Sequence, residues 1–266
     1  MTLTLTILGC GSSAGVPRVG GDWGACDPAN PKNRRLRCAV LLERKTADGQ
    51  TNVLIDTGPD LRQQLLSAEV SHLDAVWYTH EHADHTHGID DIRPLYLIQK
   101  KRIPLHAPAE TMRTLQSRFA YVFVSTNGYP AIAEPHEIAP YQAVTSHGAG
   151  GAISALPIPV QHGDIQALCF RIGDVAYMPD VNGVPERAMD ALQGLDTLII
   201  DALRYKRHPS HFMLEETLGL IAALKPRHSI ITNMHIDLDY ETLARQLPVN
   251  CVPAYDGMKV EIAGKA

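Results

Sequence analysis

The chain has 266 residues, 45% of them hydrophobic and 20% charged, with a formal net charge of −5. That balance describes a soluble globule of one large α/β domain or two small ones, and argues against a protein that coats a polyanion. No apolar run nears the ~20 residues needed to span a bilayer. The first eight residues alternate like a strand and lack a basic leader, so a cytoplasmic protein is expected. The cysteines Cys10, Cys26, Cys38, Cys169 and Cys251 are odd in number and scattered, which predicts reduced thiols rather than a disulfide framework.

In chain order, residues 2–8 predict a strand running into Gly9-Cys10-Gly11-Ser12-Ser13-Ala14-Gly15. This loop lacks the lysine and the following helix pattern of a phosphate cradle, so it reads as a sharp turn. Residues 16–38 are irregular and end in a basic patch, Lys32, Arg34, Arg35 and Arg37. Two readings of that patch stand side by side: a solvated face, or a clamp in which Arg34 and Arg35 hold an anionic substrate. Apolar runs at 38–43 and 52–55 flank an Asp48-Gly49 hairpin signal, and Asp56-Thr57-Gly58 closes the second run. Pro59 then opens a helix over 60–68.

The run 73–78 is apolar and β-prone, and it delivers Thr79-His80-Glu81-His82-Ala83-Asp84-His85 to a loop. Four potential metal ligands, His80, His82, Asp84 and His85, fall within six residues there. In extended backbone His80 and His82 project to one side, while Asp84 and His85 follow as the chain turns and can face a second ion. A solvated turn with surplus histidines would not need that order after an apolar strand.

Beyond the cluster the pattern predicts helices over 89–99 and 109–118 around a strand at 103–107. Residues 119–152 show little periodicity and form the candidate lid or dimerisation arm, which leaves a homodimer open. Strands follow at 153–159, 167–172, 174–178, 196–201, 228–232 and 258–262, with helices at 185–192, 212–224 and 240–247. Nothing marks a domain boundary, so 1–266 is expected to be one domain. His162 lies just past a β-branched run, and Asp180 ends the strand at 174–178; one carboxylate can bridge two cations through its two oxygens.

The H-x-H-x-D-H order resembles the signature of the metallo-β-lactamase superfamily, and the later motifs extend the resemblance over nearly the whole chain. It implies an αββα sandwich: a four-layer α+β fold with two mixed sheets flanked by helices, which hairpins plus α/β units in each half would build. It also implies His80, His82 and His162 on one metal, Asp84, His85 and a last histidine on the other, and Asp180 bridging. Asp56 matches an aspartate that supports the metal loop without touching a metal. The segment Thr232-Asn233-Met234-His235-Ile236-Asp237-Leu238-Asp239-Tyr240 resembles the last-ligand motif of the phosphodiesterase branch, but the histidine stands two positions late. His235 is assigned to the metal because imidazole is the better donor, with Asn233 as the fallback. The same branch holds a separate structural zinc through loop cysteines; here Cys26 is the single cysteine in that loop, so no second zinc site is expected.

His211, before the helix at 212–224, resembles the histidine that lies over the scissile phosphate in phosphodiesterases and tRNA 3′-processing nucleases. A structural histidine at a helix start is the alternative, and His208 is the runner-up for its role. The resemblance implies two divalent ions, zinc or manganese or iron, that acidify a shared water for in-line attack at phosphorus while His211 protonates the leaving oxygen. The expected substrate is a small, cyclic phosphodiester of ribose or a nucleotide. No Lys or Arg lies between Arg118 and Arg171, where a basic arm for RNA could have been inserted, so no long nucleic acid is expected. Thioester or lactone hydrolysis on the same metals is the alternative chemistry, and a nucleotide-binding protein without turnover the alternative class.

Overall fold

A computed structural model describes residues 2–126 and 128–262. The first sheet contains β1 (Thr2–Gly9), β2 (Ala39–Thr46), β3 (Gly49–Ile55), β4 (Ala75–Trp77), β5 (Ile103–Ala107) and β6 (Ala133–Glu137). The second contains β7 (Val144–Gly148), β8 (Gly151–His162), β9 (Ile165–Ile172), β10 (Val175–Met178), β11 (Thr197–Asp201), β12 (His228–Thr232) and β13 (Cys251–Pro253). The chain then returns to the first sheet with β14 (Lys259–Ile262), giving the orders β14-β1-β2-β3-β4-β5-β6 and β13-β12-β11-β10-β9-β8-β7. Both sheets are mixed. Antiparallel pairing runs from β14 to β3 and from β7 to β10, and parallel pairing from β3 to β6 and from β10 to β13.

Side-chain alternation explains the layers. Leu5, Ile7, Val40, Leu42, Val53, Ile55, Ala75 and Trp77 face the second sheet, where Trp77 and Phe170 meet with ring centroids 5.6 Å apart. Their neighbours Leu8, Leu41, Leu54, Val76 and Tyr78 face the opposite way and pack on helices. Those helices are α1 (Leu61–Ser67), α2 (Ala83–Thr86), α3 (Arg93–Gln99), α4 (Ala109–Arg118) and α5 (Ala120–Phe123). On the far side α6 (Glu186–Ala191), α7 (Leu214–Leu224) and α8 (Tyr240–Gln246) complete four layers, αββα. Strands buried on both faces read as unbroken apolar runs because period 2 no longer separates core from solvent.

The expected elements are present, with two departures. Residues 119–152, read as a lid or arm, supply α5, the edge strands β6 and β7, and the start of β8. Their pattern is weak because an edge strand leaves most of its side chains in solvent: four of the five β6 residues are exposed. The short β13 was also unforeseen; its three residues sit parallel to β12 at the other edge. Among the described residues no helix is long and apolar enough to cross a membrane.

Candidate metal centre

The carboxyl ends of parallel strands in both sheets meet at one rim, which is where open α/β sheets gather chemistry. β4 leads into His80, β10 into Asp180, β11 ends in Asp201, β12 leads into Asn233, and β8 ends in His162. His82 takes the N-cap position of the one-turn helix α2, so Asp84 and His85 fall in its first turn. Three groups of side chains lie close enough to share an ion: His80, His82 and His162; His80, His85 and Asp180; and His162, Asp180 and His211. His82 is exposed at the mouth of the site, whereas His80, His85, His162 and Asp180 are buried.

Hydrogen bonds fix which ring nitrogen each histidine offers. His85 Nδ1 donates to Asp56 Oδ2 at 2.8 Å, and His162 Nδ1 donates to the Ser210 carbonyl at 2.7 Å. Thr79 Oγ1 donates to Asp56 Oδ2 at 2.8 Å and so accepts from His80 Nδ1 at 2.9 Å. Each Nε2 therefore carries a lone pair. The Nε2 atoms of His80 and His85 and Oδ1 of Asp180 are buried without a hydrogen-bond partner. His82 Nδ1 stands 3.1 Å from His162 Nε2. One proton or one cation can lie between two ring nitrogens at that separation. Buried acceptors left unpaired cost free energy, so the set fits a metal rather than a polar core.

The carboxylate of Asp180 is divided between the groups. Its Oδ2 lies 3.5 Å from His162 Nε2 and 3.9 Å from His80 Nε2, and its Oδ1 lies 3.2 Å from His85 Nε2. Burial opposes its ionisation, yet His85 and His80 hold the carboxyl well below the usual carboxylate range. Burial, together with the neighbouring His85, drives His80 well below its ordinary value, so it is neutral as a ligand must be. At His85 burial acts the same way, but Asp180, Asp84 and Asp56 outweigh it and favour positive charge at that point. Asp84 Oδ2 is 3.6 Å from His85 Nε2.

Asp56 carries the loop. It is fully buried with φ 67°, a conformation that few side chains other than glycine adopt, and its carboxylate also accepts from the Thr79 amide at 2.8 Å. Thr57 donates to the His85 carbonyl at 2.7 Å, and Gly88 donates to Thr57 O at 2.8 Å. Gly58 leaves no room: a Cβ there would lie 2.2 Å from the Asp84 carbonyl oxygen. Gly58→Ala is accordingly expected to displace Asp84 and His85 and to lower the metal content and melting temperature together. Unchanged metal content in a folded Gly58→Ala protein would show that this packing does not hold the loop.

Next to the two ligand groups, His211 Nδ1 donates to Asp201 Oδ2 at 2.8 Å, and the His211 and His162 ring centroids are 4.7 Å apart. Burial disfavours its charge, but Asp201, Asp180 and Asp84 outweigh that and raise it to about 9. Burial raises Asp201 in turn, to about 7. The His208 ring centroid is 5.1 Å from that of His211, and burial and nearby positive charge lower it.

Other candidates lie elsewhere. His235 does not join the cluster. Asn233 takes φ 58°, and Met234 then bonds back to Cys10 O at 2.9 Å, so the chain turns before His235, which lies in none of the three groups. Asn233 is the residue brought to the site, with its amide nitrogen 3.0 Å from Pro179 O and 3.3 Å from His211 Nδ1. Arg35 is 1% exposed and cannot meet substrate; it donates to Leu238 O at 2.6 Å, to Asn33 Oδ1 at 3.1 Å and to His235 O at 3.3 Å. Arg34 is exposed, 5.2 Å from the Trp23 ring, and lines a cavity of about 790 Å³ with Lys45, Gln63 and Lys259, away from the ligand groups. Asp201 was not foreseen as part of the site; a carboxylate ending a strand ten residues before a candidate acid was its one sequence signal.

Comparison with known proteins agrees with this geometry. Residues 51–236 match the model of the β-lactamase superfamily domain. The crystal structure of a diphosphatase of the PhnP family superposes with a TM-score of 0.88 at 39% identity, covering 98% of each chain. Zinc-bound PqqB from Methylobacterium extorquens shares the fold at 17% identity, TM-score 0.72, covering 97% of this chain and 100% of that one. An octanoyltransferase of Porphyromonas gingivalis is 31% identical over 267 residues; the match covers 97% of this chain, which spans about half (51%) of that relative's length.

Proposed function

The chain belongs to the β-lactamase superfamily, whose members are metal-dependent hydrolases, and on that footing we propose that it is a two-metal phosphodiesterase. The likeness to a PhnP-family diphosphatase supports phosphorus as the centre attacked. A phosphodiester and a doubly esterified diphosphate both present a phosphorus carrying one ionised oxygen, so one site can serve either. The observation that carries the reading is the His211–Asp201 pair at 2.8 Å beside the two ligand groups, a proton donor where a leaving oxygen would depart.

In this reading His80, His82 and His162 would hold one cation and Asp84, His85 and Asn233 the other, with Asp180 shared between them. Two such cations supply a nucleophile from water at neutral pH and offset charge on the phosphoryl oxygens. The chain's own groups do the rest. Asp56, Thr79 and Ser210 fix the imidazole tautomers, and the buried floor excludes bulk water. His211 carries the proton for the leaving oxygen and Asp201 holds that imidazole in its protonated form.

The octanoyltransferase name favours a second reading, acyl transfer or thioester hydrolysis, but it belongs to a protein about twice as long. A thiolate leaves without protonation and would give His211 no task. Zinc- or manganese-loaded protein is expected to hold two ions per chain and to cleave bis(4-nitrophenyl) phosphate and a 2′,3′-cyclic nucleotide. A nucleoside monophosphate should inhibit as product does. Cleavage of thioesters or lactones by the loaded enzyme, with no phosphodiester cut, would reverse the assignment.

A further inference from the structure

The segment 204–210 brings His211 to the rim without helix or strand, and Tyr205, Lys206, Arg207 and Pro209 in it are exposed. With little apolar surface buried there, hydrogen bonds decide where the segment lies. Arg204 folds it on itself, donating to Lys206 O at 3.1 Å and to Arg207 O at 3.0 Å. At its outer end Tyr205 Oη donates to Gln246 Oε1 at 2.9 Å. Two donors meet it just before His211. His162 Nδ1 donates to Ser210 O at 2.7 Å, and Asn182 Nδ2 donates to Pro209 O at 2.6 Å.

Asn182 is half-buried, two residues past Asp180. Its backbone N–H donates to Gln161 O at 2.9 Å, and the Gln161 N–H donates to Gly183 O at 2.8 Å, which locks it beside the end of β8. Its side-chain Oδ1 accepts from the Gly163 N–H at 3.0 Å. The neighbours settle which way the amide faces: Gly163 offers a donor and Pro209 an acceptor, and a flipped amide would oppose both. One side chain therefore joins the turn after His162, the strand end that presents Asp180, and the segment that leads to His211. Asp201 holds the His211 ring through Nδ1 at 2.8 Å and leaves Nε2 to carry the transferable proton. The main chain from which that ring hangs is held by Asn182 and His162. Of these two, Asn182 is not among the ligands assigned above, so changing it takes no donor from a metal.

We propose that Asn182 is a positioning residue for the proton donor: its amide, through Pro209 O, sets how His211 meets the departing oxygen. The proposal rests on the phosphodiesterase reading above. A misplacement of about 1 Å can cost a reacting group about 10²-fold. That cost falls on the step that needs the proton, so it grows as the leaving oxygen becomes more basic. A side chain that merely stabilised the fold would slow good and poor leaving groups alike.

Metal-saturated wild type, Asn182→Asp and Asn182→Ala would be compared on a 2′,3′-cyclic nucleotide and on bis(4-nitrophenyl) phosphate. The isosteric aspartate keeps an acceptor for Gly163 and sets a carboxylate against Pro209 O; alanine removes both bonds and adds no charge. Each variant should lose about 10- to 100-fold in kcat on the cyclic nucleotide, with two ions still bound, and less than about threefold on the nitrophenyl ester, whose phenolate leaves unaided. Trypsin gives a readout that needs no turnover. Cleavage after Lys206 and Arg207 should be about tenfold faster in both variants than in wild type, the ratio that one lost hydrogen bond gives. If alanine costs the fold or an ion, the isosteric variant decides. Equal losses on the two substrates, or none on the cyclic nucleotide, would overturn the proposal while leaving the phosphodiesterase reading intact. Wild type cleaving neither ester would sink that reading instead; trypsin then decides, and unchanged cleavage at Lys206 and Arg207 would overturn the role of Asn182 as well.

Discussion

Asp180→Asn is expected to lose more than about 10³-fold in kcat on every substrate, beyond the ~10²–10³ that removing a single charge-stabilising donor costs. The amide is nearly isosteric, so the buried packing around residue 180 is kept and the loss is electrostatic. In the wild type one oxygen faces His162 and His80 at 3.5 and 3.9 Å, and the other faces His85 at 3.2 Å. An asparagine turns a donor toward one of those groups and carries no charge to hold two cations together. Elemental analysis should find fewer than two ions per chain, and kinetics should show activated and unactivated phosphodiesters suffering alike. Two retained ions with near-native turnover would remove Asp180 from its bridging position.

His211→Ala is expected to behave differently, with a loss that depends on the leaving group. General-acid assistance is worth about 10²–10⁴-fold when an alkoxide departs and matters little for a stable phenolate. The mutant should therefore be crippled on a 2′,3′-cyclic nucleotide and only mildly slowed on a nitrophenyl phosphodiester, with two ions still bound. The pH profile supplies a second check. Carboxylates led by Asp201 raise His211 to about 9, so its proton is present at neutral pH and is lost as pH climbs through that value. Wild-type kcat on the cyclic nucleotide should fall on the alkaline side accordingly, and the fall should vanish in His211→Ala. Equal losses on both substrates with metal content intact would make His211 a phosphate-positioning group. A drop in metal content would instead make it a ligand, since it lies within reach of an ion shared with His162 and Asp180.

The lesson from Arg35 is about burial. As one cation among Lys32, Arg34 and Arg37 it fits a solvated face or an anion clamp equally, yet it is 1% exposed and turns its guanidinium to the carbonyls of His235 and Leu238. Nothing local distinguishes a buried arginine from a solvated one, because the two carbonyls it meets lie about 200 residues away. The edge strands β6 and β7 were missed for the opposite reason: they bury too few side chains to leave a pattern.

Much of this protein was nonetheless written in local sequence. Apolar, β-prone runs marked most of the strands, and Asp56-Thr57-Gly58 with the H-x-H-x-D-H run marked the loop pair that carries most of the candidate ligands. These features are decided by neighbours a few residues apart, where alternation, turn chemistry and ligand spacing act directly. The tertiary structure alone decided which residue of the last segment lies beside His211. Which of Asn233 and His235 reaches the site depends on a left-handed turn at 233 and on Met234 bonding to Cys10 O, more than 200 residues back in the chain. It likewise joined His211 to Asp201 and set His235 beside Arg18, contacts that exist only once two sheets have stacked with their strand ends at one rim.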